Sequence, residues 1–221
     1  MLLVKVITFL LPWRLKRFML IRFFKYEIHP SAKIGFSWIY PQKLIMFSNA
    51  KIGDLNVAIH LDLISIGKFS SISRGNWITG FPTKTDSKHF SHQNERESKL
   101  IIGEQSAITK NHHIDCTSSI TIGDFVTIAG YNSQLLTHSI NIFENRQDSS
   151  PITIGNYCFI STNVVVLGGA NLPSYSVLGA KAMLNKKLNQ EYCLYGGIPA
   201  KFISEIPKTA KYFDRSTGFI Y

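Results

Sequence analysis

The stretch PITIGNYCFISTNVVVLGGANLPSYSVLGAKAML, residues 151–184, decides how this chain folds. An apolar residue recurs there at every sixth position: Ile154, Ile160, Val166, Leu172, Leu178 and Leu184. A period of six fits neither an α-helix nor a flat strand. It fits a three-sided prism, in which three short parallel strands and their turns complete one coil of about 18 residues. One residue in six then points to the axis, and small or polar residues such as Thr153 and Asn156 face outward. No single coil can bury its inner face alone, so several coils must stack.

The same period runs upstream, through Ile102, Ile108, Ile114 and Ile120, and through Ile66, Ile72 and Ile78. The pair Ile-Gly ends six such positions, at Ile34, Ile52, Ile66, Ile102, Ile122 and Ile154, where chance would give about two. A glycine after the inward isoleucine suits a corner that needs an unusual backbone angle. The steps from Ile52 to Ile66 and from Ile102 to Ile122 are not multiples of six, so bulges or loops must absorb the offsets. Two polar segments break the period, near residues 80–99 and 138–150. Both read as loops extruded from the stack, where function tends to sit. The expected organisation is a helical segment over 1–27, the repeat domain over 28–188 and a C-terminal cap over 189–221.

Composition narrows the function classes. The 221 residues are 45% apolar and 17% charged, which excludes a disordered or collagen-like chain. Three cysteines without a C-x-x-C pair exclude a disulfide framework and argue against structural zinc. No apolar run reaches 18 residues, because Lys5 and Pro12 break the best one, and no small-residue cleavage site follows it. The expected compartment is a reducing cytoplasm.

The net charge is +10, and half of it falls in residues 1–27, where Lys5, Arg14, Lys16, Arg17, Arg22 and Lys25 face Glu27 alone. These alternate with Leu, Phe, Met and Ile, the pattern of a basic amphipathic helix rather than a nucleic-acid face. Such a helix either attaches peripherally to an anionic membrane, here its inner face, or packs on its own domain or a neighbouring subunit.

The six-residue repeat resembles the hexapeptide-repeat acyltransferases over roughly residues 28–203. The resemblance implies an all-β, left-handed parallel β-helix with the amphipathic helix before it and a short helical cap after it, assembled as a homotrimer. The frame Leu136-Thr137-His138-Ser139, then a loop, then Pro151-Ile152-Thr153-Ile154-Gly155, is similar to that of the maltose/galactoside and polysaccharide O-acetyltransferases. The resemblance implies that His138 is the catalytic base. Asn111, His112 and Asp115, one coil earlier, approximate the family's acceptor-binding pair and are expected to bind the acceptor or orient His138. Thr162 and Ala180 match positions that contact the pantetheine arm. Lys186 and Lys201, the latter in Gly197-Ile198-Pro199-Ala200-Lys201, are candidates for the CoA phosphates.

The chemistry suits the residue. An imidazole with an ordinary pKa near 6.5 is largely neutral at pH 7 and can accept a hydroxyl proton. Ser139 is not read as a nucleophile, because adjacent strand residues point to opposite faces. Cys116 reads as a small buried hydrophobe.

The leading reading is an acetyl-CoA-dependent O-acetyltransferase on a sugar hydroxyl in surface polysaccharide biosynthesis, with no metal. An N-acetyltransferase on an amino sugar, a xenobiotic acetyltransferase and a non-catalytic β-helix scaffold are the alternatives. A zinc enzyme of the γ-carbonic anhydrase type lacks its histidine spacing here.

Overall fold

The structure is a computed structural model and describes residues 2–220. Short strands form three parallel faces, and each face takes one strand from each successive coil. The first face begins at Glu27–Ile28 and ends at Asn171–Leu172. The second begins at Lys33–Ile34 and the third at Trp38–Tyr40.

The register places apolar residues directly over one another. On the first face Leu44, Ile64, Leu100, Ile120 and Ile152 form one column. On the third, Ile78, Ile114, Leu135, Val166 and Leu184 form another. These side chains are buried and belong to one core. Each fully buried Ile or Leu contributes about 1.5–3 kcal/mol, so the stack is held chiefly by its columns.

The irregular steps fall on the first face, where a strand carries two inward residues. The six-residue spacing runs unbroken through Ile52, Ala58 and Ile64, and Ile66 is a second inward residue on the same strand, Leu63–Ile66. Likewise Ile102, Ile108, Ile114 and Ile120 keep the spacing, and Ile122 is a second inward residue on Ile120–Ile122.

The glycines after the inward isoleucines do not serve the expected purpose. Their φ values are not positive. A Cβ on Gly53 would strike the Ser73 carbonyl oxygen, and one on Gly67 the Gly103 carbonyl. They are glycines because consecutive coils approach too closely there. The left-handed conformation falls two residues later, on Leu55, Phe69, Gln105, Phe125 and Tyr157, and recurs at Tyr175 and Tyr192. Along the first corner this builds a ladder of near-parallel rings, Phe125, Tyr157, Tyr175 and Tyr192, with successive centroids 4.6, 5.3 and 4.7 Å apart.

The ends differ from a simple coil. The N-terminal segment is two helices, α1 (Leu2–Leu10) and α2 (Trp13–Phe24), separated at Leu11 and Pro12. Leu20 enters the core, and Trp13, Ile21 and Phe24 pack against it. At the other end, Cys193–Gly196 extends the second face and pairs antiparallel with Lys201–Glu205. Gly196, Gly197 and Pro199 reverse the chain too tightly for a helix, and Gly197 has φ +94. Among the described residues of the cap, helical character is confined to one 3-10 turn, Lys211–Asp214. Phe213 there is buried edge-on against Tyr175 and Tyr192. The segment 138–150 is an ordered antiparallel hairpin, His138–Asn141 with Arg146–Ser149, rather than an irregular loop.

Candidate active site

His138 is the first residue of the hairpin, separated by Thr137 from the third-face strand Gln134–Leu136. One coil below, Asp115 ends the strand His113–Asp115 and stacks under Leu136. That register brings the Asp115 carboxylate beneath the turn into the hairpin. Oδ2 accepts from His138 Nδ1 at 2.6 Å, and from the backbone N–H groups of Thr137 and His138 at 3.1 and 3.3 Å. Oδ1 accepts from Thr117 N–H and from Thr117 Oγ1 at 2.7 Å.

Burial of Asp115 would raise its pKa, but the bonds from His138 and Thr117 outweigh it and hold the carboxyl below its ordinary value. The Asp115 bond raises the pKa of His138, against the opposing effect of burial. An ionised Asp115 can only accept, so Nδ1 carries the proton and Nε2 is the basic nitrogen. The His138 side chain is 41% exposed against 7% for Asp115, so the imidazole is open to solvent and its partner is not.

The long segment 80–98 forms the wall beside this pair. Arg96 donates to the carbonyls of Phe81, Pro82 and Thr117, and its guanidinium lies 4.9 Å from the Phe90 ring centre. Phe90 is thereby held edge-on to the His138 ring, with centroids 6.1 Å apart. Gln93 clasps Ser149 of the hairpin through three hydrogen bonds, and His92 Nε2 meets Asp148 at 2.5 Å. A groove of about 240 Å³ opens between His138, Ser139, Ser149, Ser150, Gly168 and Asn185. A second, of about 540 Å³, lies on the clasp side and is lined by Gln93, Glu95, Glu97, Ser118 and Ser149.

The other expected residues separate. His112 is sealed inside the second corner as a rung of a polar ladder. Its N–H donates to Asn76, its Nδ1 accepts from Ser133 N–H, and its Nε2 meets Thr109 Oγ1 at 3.0 Å. Burial lowers its pKa to about 4, so it is neutral and fully engaged, and it does not orient His138. Asn111 lies at the same corner, with φ 55, and lines a different depression with Trp77 and Gln134. Asp115 alone of the three meets His138.

Thr162 also sits at the second corner, where its Oγ1 bonds the Tyr131 backbone. Ala180 occupies the equivalent turn one coil on. The strand Val165–Leu167 separates that corner from the His138 corner, a span of about 10 Å. One chain therefore does not bring Thr162 and Ala180 to the same groove as His138. Lys186 is exposed on the His138 side, after the strand Met183–Leu184, and Lys201 is exposed in the terminal hairpin.

Phe90, Gln93, Arg96 and Asn185 were not singled out by sequence. Among the described residues no group of three His, Cys, Asp or Glu side chains converges as a metal site. Cys116 is fully buried.

Comparison with known proteins agrees with this architecture. No family model matches the chain. Over 120 residues it is 31% identical to galactoside O-acetyltransferase of Escherichia coli (strain K12), covering 52% of this chain and 59% of that protein. The chain thus spans about three-fifths of the length of the curated relative it matches. Among solved structures, the polysialic-acid-specific acetyltransferase NeuO aligns with a TM-score of 0.52 at 19% identity, covering 81% of this chain and 80% of that one. The polysialic acid O-acetyltransferase OatWY aligns at 0.50 and 16% identity, covering 81% and 84%. The chain has the fold of these acetyltransferases. Its coil is a left-handed parallel β-helix, an exception to the right-handed crossover rule.

Proposed function

We propose that the chain is an acetyl-CoA-dependent O-acetyltransferase that acts on a sugar hydroxyl in surface polysaccharide biosynthesis. The observation that carries this reading is the His138–Asp115 pair, with Nε2 unbonded among the described residues and directed to solvent beside a polar groove. His138 Nε2 takes the proton of the acceptor hydroxyl as its oxygen attacks the acetyl carbonyl. Asp115 fixes the tautomer and stabilises the imidazolium that forms. The imidazolium then returns its proton to the departing thiolate, and no covalent enzyme intermediate is needed.

The acceptor class draws support from the galactoside-acetylating relative and from the polysialic-acid-acetylating structures of the same fold. In this reading Thr162 and Ala180 line the pantetheine arm, and Lys186 and Lys201 meet the CoA phosphates as mobile point charges. Because those turns and His138 lie at different corners of one chain, the reading includes a homotrimer in which neighbouring copies complete each site. Use of acetyl-CoA makes the reaction a cytoplasmic one.

The test is transfer of acetyl from acetyl-CoA to galactosides and to oligosaccharide fragments, with the product isolated and treated with mild base. An ester is cleaved and an amide survives. An acetylated, base-labile sugar supports the proposal. A base-stable product assigns N-acetylation instead, and failure to bind acetyl-CoA in calorimetry assigns a scaffold.

A further inference from the structure

The N-terminal helices present a face that the coil does not use. α2 is anchored from below. Lys16 is buried, and its Nζ donates to the carbonyls of Gly35 and Ser37 at 2.9 and 3.2 Å. Arg17 donates to the Ile28 carbonyl at 2.7 Å. Leu20, one turn on from Lys16, is buried in the core. α1 is tied down in the same sense, because Tyr40 Oη donates to the Lys5 carbonyl at 2.7 Å and Phe9 packs on Phe36 and Trp38. Helices fixed on these residues cannot turn their remaining apolar side chains inward.

Those side chains are exposed. On α1 they are Leu2, Leu3, Val6, Ile7 and Leu10, spaced for one helical face. On α2 they are Leu15, Phe18 and Phe23. The charge around them has one sign. Arg14, Arg22 and Lys25 are exposed among them, and no Asp or Glu occurs before Glu27, which is itself paired with Lys43 at 3.0 Å. Neither helix is long and apolar enough to cross a membrane.

We propose that α1 and α2 form a surface-docking element for an anionic lipid bilayer, which lies against the end of the β-helix with Leu3, Ile7 and Phe18 in the acyl boundary and Arg14, Arg22 and Lys25 among the headgroups. The basic rim selects a negatively charged surface over a second copy of this chain, whose same face would be equally basic. Two short helices suffice, because interfacial binding scales with apolar area and charge rather than with length. The element is separate from His138 and stands whether or not the proposed reaction is correct.

The test is cosedimentation of the full chain with vesicles of phosphatidylcholine alone or mixed with phosphatidylglycerol. Binding to the mixed vesicles, weakened by salt and slight on phosphatidylcholine alone, is expected. Leu3→Glu with Phe18→Glu should reduce it by about tenfold or more. Arg14→Glu with Arg22→Glu should remove the preference for the anionic lipid. Both pairs are exposed, so thermal melting should be unchanged, and it is measured alongside. The proposal is overturned if the wild-type chain stays in the supernatant with the mixed vesicles, or if Leu3→Glu/Phe18→Glu binds as the wild type does. It is also overturned if that variant dissociates a larger oligomer of the chain, which would make the face a contact between copies.

Discussion

Asp115→Asn separates the role of the carboxylate from that of His138 at nearly constant volume. In the structure the Asp115 carboxylate accepts six hydrogen bonds, four of them at Oδ2. An amide can present an oxygen to one set of donors only, and its NH2 group must face the other set. The charge-assisted bond to Nδ1 is lost in either orientation. Bonds of that kind are worth about 1.5–3 kcal/mol. Because the His138 side chain is 41% exposed, solvent screens the pair and the lower figure applies. A loss of about 1.5 kcal/mol is about tenfold in kcat/KM.

The pH profile carries a sign as well. The bond from Asp115 raises the pKa of His138, with burial opposing. The ascending limb of the wild-type profile should lie above 6.5, and that of Asp115→Asn should move to lower pH. The loss is therefore largest on the alkaline plateau and smaller on the acid side. Stability follows the same bond. The raised His138 value contributes stability that is complete below 6.5 and fades as the pH rises through the folded value. The lowered Asp115 value contributes stability that is complete above 3.8 and fades as the pH falls. The variant is thus most destabilised between those two values. Thiol release from acetyl-CoA across pH, with NMR titration of the His138 ring, measures both effects. An unchanged limb with kcat/KM within about twofold of wild type would refute the role assigned to Asp115.

His112→Asn should flatten the acid limb of the stability curve. A folded value of about 4 means the unfolded chain binds the proton first, so stability falls as pH drops below 6.5, by about 3 kcal/mol in all. Asn already serves as the rung at Asn56 and Asn76, so the ladder should survive, and urea melts at several pH values give the slope. Gly53→Ala should cost about 1–3 kcal/mol in thermal or urea melts, because the new Cβ meets the Ser73 carbonyl oxygen. Gln93→Ala frees the clasp on Ser149, and it should raise KM for the acceptor several-fold with little change in melting temperature.

The fold was legible because the stack repeats its demand. Every sixth side chain must fill the axis, so Ile154, Ile160 and Val166 state the period outright. The place of His138, where the coil gives way to the hairpin, was legible from the frame around it. The contact of Asp115 with His138 was half legible, since strand alternation places it outward of Ile114, whereas the strand ends there and the carboxylate turns up beneath Thr137. The step of 21 residues between paired positions of these coils, plus two, is the signal that joins Asp115 to His138. His112 was misleading because a buried rung and a site ligand look alike in sequence. The hairpin at 138–150 was hidden because both of its faces are largely open, which leaves no alternation to read. Phe90 and Gln93 join the site through contacts across more than 40 residues, to His138 and Ser149, and no local pattern encodes them.

The measurement that bears most directly on the account is acceptor-dependent CoA release by the wild-type chain and by His138→Ala, compared at equal oligomeric state and equal melting temperature. Release should require the sugar and fall by about 10²–10⁴ in the variant. Sugar-dependent release at the wild-type rate in His138→Ala would contradict it.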